Sequence, residues 1–122
     1  MAQAPALSDQ DEDIHLERIR QLMEVDQEYL DPNLNLLKLA EKMNISRKHL
    51  SRIINETSGY NFTNFVNSYH VKKTCQLLKD KNLKDQFILA LAFKAGFNSI
   101  TTFNKSFKKF TTFKLQKNAF IK

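Results

Sequence analysis

The sequence predicts an all-α fold, and three observations carry that prediction. Apolar residues recur at helical spacing from Ile14 to the C-terminal region. No stretch alternates with period two between turn pairs, so strands are not expected. One helical pattern also occurs twice in the same frame, at residues 39–54 and 91–107.

Residues 1–13 are small, polar and acidic without periodicity and are read as a disordered lead or linker, with one domain over residues 14–122. From Ile14, the positions Leu16, Ile19, Leu22 and Met23 predict a first helix capped by Asp13 and ending near Tyr29, ahead of Asp31 and Pro32. Asn35 precedes a short helix, LLKLAEKM, with Leu36, Leu39, Ala40 and Met43 inward and a stop at Asn44. Ser46 caps RKHLSRIINET, which turns Leu50, Ile53 and Ile54 to a core and ends before Ser58 and Gly59.

Asn61 opens a long helix to about Lys79, and its expected buried face is Phe62, Phe65, Val66, Tyr69, Leu77 and Leu78, with Cys75 close by. After a loop at residues 80–84, FILALAFKA is a nearly all-apolar helix ending at Gly96. Ser99 caps ITTFNKSFKKF, and a separate last helix is expected near Leu115 to Phe120. The total is about seven helices.

The repeat gives the order a meaning. LAEKMNISRKHLSRII and LAFKAGFNSITTFNKSF each read as a short helix, a tight turn and a serine-capped second helix, which is a helix-turn-helix. Ala40 and Ala92 are small where the two helices cross, and Asn44 and Gly96 tolerate a left-handed backbone at the turn. The architecture expected is two such subdomains joined by the long helix.

Projected at about 100° per residue, each second helix separates two faces. In the first, Lys48, Arg52 and Asn55, with Ser51 beside them, oppose Leu50, Ile53 and Ile54; in the second, Thr101, Lys105 and Lys108, with Asn104 beside, oppose Phe103, Phe107 and Phe110. Both outward sets fall at the second, sixth and ninth residues after the serine. Such a face suits a major groove, where a guanidinium makes a bidentate contact with guanine and amides or lysines reach base edges. Lys48, Ser51, Arg52, Thr101, Asn104 and Lys105 are therefore candidate base readers. Arg47, His49, Asn55, Lys72, Lys73, Lys108 and Lys109 are candidates for backbone phosphates.

Charge points the same way. Residues 1–31 hold nine acids against Arg18 and Arg20, a net −7, whereas the other 91 residues set seventeen Lys and Arg against Glu41, Glu56, Asp80 and Asp85, a net +13. A polyanionic partner follows, with double-stranded DNA first. A basic interaction module docking an acidic protein and peripheral binding to an anionic membrane are the alternatives; the second is disfavoured because the phenylalanines project to the core side. His15, His49 and His70 are scattered without ligand spacing, and no phosphate loop, HExxH or G-x-S-x-G occurs, so no metal, cofactor or enzyme activity is expected. With one cysteine, Cys75, no secretory signal and no apolar run long enough for a bilayer, a cytoplasmic setting is expected.

These residues resemble the C-terminal DNA-binding domain of the arabinose-operon-regulator (AraC/XylS) transcription factors, over roughly residues 29–110, most specifically in GFNSITTFNKSFKK. The resemblance implies seven helices, two helix-turn-helix units on a linker helix, and sequence-specific activation or repression, with the two reading helices about 34 Å apart in successive major-groove segments. It also implies RNA polymerase or other transcription machinery as a partner, a monomeric isolated domain, and a sensing, dimerisation or membrane-spanning region N-terminal to it. By position, the family's base-reading sites fall on Lys48, Ser51, Arg52, Ile100, Thr101, Asn104 and Lys105; Ile100 alone projects toward the core side. His70 stands where the family usually has arginine, which makes the charge there pH-dependent. The usual G-x-T-P-x-x-Y-R near the end is TFKLQKNA here, without its glycine and proline.

Overall fold

The computed structural model describes residues 9–83 and 87–118, and the side chains of residues 11–83 and 87–111. The fold is all-α, with six α-helices and short 3-10 and π turns among these residues. They are α1 (Asp9–Arg20), α2 (Leu36–Met43), α3 (Arg47–Ser58), α4 (Phe62–Leu78), α5 (Ile88–Lys94) and α6 (Ile100–Asn118). The chain divides into two compact units. One holds α1, α2 and α3; the other holds Tyr29–Pro32 and the described residues from Thr63 onward.

In the first unit, α1 is already helical at Asp9, so Asp13 lies inside it rather than capping it. The helix also does not run unbroken to Tyr29: a π turn follows at Gln21–Val25, closed by the Asp26 amide donating to the Gln21 carbonyl at 3.0 Å, and Gln27 then adopts a positive φ of 53°. The wider turn keeps Ile19, Leu22 and Met23 buried together, while Gln27 ends the helical path. Asn35 caps α2 by accepting from the Lys38 amide at 2.8 Å. Leu39, Ala40 and Met43 from α2 and Leu50, Ile53 and Ile54 from α3 complete the core, and Leu36 is half-buried. Gly59, at φ 80°, ends α3 with its amide donating to the Asn55 carbonyl.

In the second unit, the buried face of α4 is not the apolar one expected. Asn67, His70, Val71 and Thr74 are buried, whereas Phe62, Phe65, Val66, Tyr69 and Leu77 are half-buried and Leu78 is exposed. A polar stripe is stable inside only if its hydrogen bonds are made, and these are. His70 Nε2 meets the Tyr29 carbonyl at 2.8 Å, His70 Nδ1 lies 3.2 Å from Asn67 Oδ1, and the Thr74 hydroxyl donates to the His70 carbonyl at 2.8 Å. Burial lowers the His70 pKa, against a smaller opposing effect of the Tyr29 bond. A neutral ring that donates from Nε2 to the carbonyl leaves Nδ1 an acceptor, so the contact with Asn67 is a hydrogen bond only with the Asn67 amide oriented NH2 toward the ring. Val71, Ala92, Phe97, Phe103 and Phe107 form the apolar core beside this stripe, with Cys75, Ile88, Leu89 and Phe110 packed against it.

No break follows Phe110. Helix α6 continues to Asn118, so the separate last helix expected from Leu115 is its continuation as far as the described residues extend, and the part at Ala119 and Phe120 lies outside them. Residues 111–118 contain neither glycine nor proline, the two residue types that would interrupt a helix there.

Candidate nucleic-acid interface

The two helix-turn-helix units are built by the same backbone device. In the first, the Ile45 amide donates to the Ala40 carbonyl at 3.1 Å; in the second, the Phe97 amide donates to the Ala92 carbonyl, also at 3.1 Å. Each bond reaches back five residues and closes the turn over a fully buried alanine. Positive φ follows as the turn demands, 58° at Asn44 and 111° at Gly96. A serine then opens each second helix. Ser46 Oγ accepts from the His49 amide at 3.0 Å, and Ser99 Oγ accepts from the Thr102 amide at 3.1 Å while donating to Thr102 Oγ1 at 2.9 Å. Ala40 to Ser46 spans six residues and Ala92 to Ser99 seven, so the second turn is longer by one.

With the caps fixed and the apolar sides buried, the outer faces are set. Lys48, Ser51, Arg52 and Asn55 are exposed on α3, with Arg47 beside them at its start. Thr101, Asn104, Lys105, Lys108 and Lys109 are exposed on α6, where Lys109 Nζ sits 5.6 Å from the Phe110 ring centroid. Phe103 and Phe107 are buried behind them and Phe110 is half-buried. On α4, Lys72 is exposed and Lys73 half-buried. The exposed side chains are cations, amides and hydroxyls, the groups that bind phosphates and base edges.

Two residues stand elsewhere than the sequence suggests. Ile100 projects toward the core side yet is 50% exposed. It is the first residue of α6, and because helix side chains lean toward the N-terminus, no preceding turn of α6 lies beneath it to cover it. His49, a phosphate candidate, is half-buried with its ring edge-to-face on His15 of α1, centroids 5.1 Å apart. The two histidines are 34 positions apart, and no spacing rule links them. Among the described residues, no group of three or more His, Cys, Asp or Glu is placed to hold a metal, and no helix is long and apolar enough to cross a membrane.

Fold and faces together define a helix-turn-helix DNA-binding module. Residues 39–114 match the family described as helix-turn-helix domain, and the chain belongs to that family, in its AraC type. It is similar to the multiple antibiotic resistance protein MarA of Escherichia coli K12, 28% identical over 92 residues that cover 75% of this chain and 70% of MarA. It is also similar to an uncharacterised HTH-type transcriptional regulator of Staphylococcus aureus N315, 27% identical over 95 residues. That match covers 78% of this chain and only 12% of the staphylococcal protein. A protein of unknown function from Listeria innocua shares the fold, with a TM-score of 0.57 at 24% identity over 77% of this chain and 87% of its own. The helix-turn-helix family, and the staphylococcal protein described as a transcriptional regulator, support DNA-binding transcription regulation as the functional class.

Proposed function

We propose that the chain binds duplex DNA sequence-specifically by placing the first turns of α3 and α6 in successive major-groove segments. One observation carries this reading. Lys48, Arg52 and Asn55 follow Ser46 by two, six and nine residues, Thr101, Lys105 and Lys108 follow Ser99 by the same steps, and all six are exposed. Bases are read by Lys48, Ser51, Arg52, Thr101, Asn104 and Lys105, with Arg52 bidentate on guanine and Lys105 its counterpart. Phosphates are held by Arg47, Asn55, Lys72, Lys73, Lys108 and Lys109. His49 is left out of that set because its ring is engaged with His15.

In this reading the isolated domain acts as a monomer, belongs to a larger regulator with a sensing or membrane region, and works with RNA polymerase in the cytoplasm. Selection of binding sites from a random duplex pool tests it. Enrichment of one motif with two blocks of preferred bases is the expected result, and recovery of unrelated sequences in proportion to the input pool contradicts it. Arg52→Ala is expected to relax the preference at one position of one block, at a cost of about 1–3 kcal/mol. Equal losses on the selected and scrambled duplexes remove Arg52 from the reading set.

A further inference from the structure

Two buried side-chain nitrogens in the first unit have no hydrogen-bond partner among protein atoms: Nδ1 of His15 and Nε2 of His49. They belong to the two rings that meet edge to face at 88°, one from α1 and one from the first turn of α3. Buried polar atoms are ordinarily paired, so two without a protein partner in a single contact mark a cost that separating the rings would relieve. The contact sits near the middle of α1. Farther along, Ile19 of α1 and then Leu22 and Met23 of the π turn are fully sunk in the core.

We propose that His15 and His49 form a proton-operated latch: the neutral rings pack and hold the part of α1 before Ile19 on the first turn of α3, and protonation at this contact drives them apart and releases that part. The charges acting on His49 come from His15 and Glu12 on α1 and from Arg52 on α3 itself. Burial first, then His15 and Arg52, lower the His49 pKa from its ordinary 6.5, with Glu12 opposing them. Closure is therefore at its strongest above the ordinary value of 6.5 and weakens as the pH falls below it, because the released His49 ring binds the proton more tightly than the packed one. Opening removes the helix packed against His49 and adds positive charge between Lys48 and Arg52, so the first basic face changes with pH. The latch does not depend on what that face binds.

Amide hydrogen exchange on the full chain, corrected for intrinsic rates, at pH 7.5 and 5.5 tests this. Protection of residues 11–18 is expected to fall by up to about tenfold per pH unit below the opening point, while residues 19–25 change much less. In the His15→Phe/His49→Phe double variant, which keeps two rings and removes both protons, residues 11–18 are expected to hold the same protection at both pH values. Equal acid loss in that variant and the wild type overturns the latch, as does an unchanged wild type. Should the double variant not fold, the wild-type nuclear Overhauser contact between the two rings decides: it disappears as the His49 imidazole is protonated, and its persistence after that protonation overturns the proposal.

Discussion

Gly59 and Gly96 both sit at positive φ, but they differ in what surrounds them. A Cβ on Gly59 would meet nothing within 4 Å, whereas one on Gly96 would stand 2.7 Å from the His70 ring and 3.2 Å from the Tyr29 carbonyl. Gly59→Ala is therefore expected to cost only the left-handed backbone penalty, about 1–2 kcal/mol. Gly96→Ala adds a clash with a ring held by two hydrogen bonds and is expected to cost about 3 kcal/mol or more. Urea unfolding of both variants checks the order, and equal losses would show that the ring moves aside freely. His70 itself makes stability pH-dependent. Its pKa is lowered on folding, so the unfolded chain binds the proton more tightly; stability is level above the unfolded value of 6.5 and declines as the pH falls below it. The limit is about 1.4 kcal/mol per pH unit, measured as the urea midpoint against pH, and His70→Gln is expected to flatten that limb. The sequence marks Gly96 as a turn residue and His70 as a titratable one. It does not mark that the glycine exists to make room for the histidine, since they are 26 positions apart.

At the scale of the element, the serine caps are the parts most legible from sequence, because a cap is decided by residues three apart on one segment. Ser46→Ala is expected to cost about 1 kcal/mol and Ser46→Asp to recover most of it, both read by denaturant unfolding. Ser99→Ala loses the bond from the Thr102 amide and also its own donation to Thr102 Oγ1, so its loss is expected to be the larger. A Ser46→Ala loss not recovered by aspartate would mean that the hydroxyl does something other than accept the His49 amide. Elements whose form depends on distant partners were less legible. The apolar stripe of α4 is the buried face that its sequence predicts, but the stripe at Asn67, His70, Val71 and Thr74 has the same helical spacing and is the one covered, because Tyr29 supplies an acceptor that no local pattern contains. The π turn after α1 leaves the spacing of Ile19, Leu22 and Met23 intact, so periodicity could not reveal it. Helix α6 runs on because nothing in its sequence stops it, which the missing glycine and proline already imply.

For the whole molecule, the architecture was legible because the repeat states it twice, and the charge distribution was legible because it needs only counting. The same counting fixes how binding should respond to salt. Each lysine or arginine that neutralises a phosphate releases counterions, lowering log K by about 0.9 for every tenfold rise in salt. The proposed phosphate set contains five such cations, Arg47, Lys72, Lys73, Lys108 and Lys109. A slope of about −4 to −5 follows on duplex DNA, steeper if Lys48, Arg52 and Lys105 also lie against phosphates. Lys73→Ala is expected to make the slope shallower by about 1 and to weaken selected and scrambled duplexes alike, since a phosphate carries no sequence information. A filter-binding or anisotropy series from 0.05 to 0.3 M salt measures both at about the range where such slopes are well resolved. A flat salt response would remove the polyanion from the account of the +13 charge, whatever the fold. A steep response with unequal Lys73→Ala losses would instead move that lysine from the phosphates to the bases, because only a contact to a base edge can distinguish one duplex from the other.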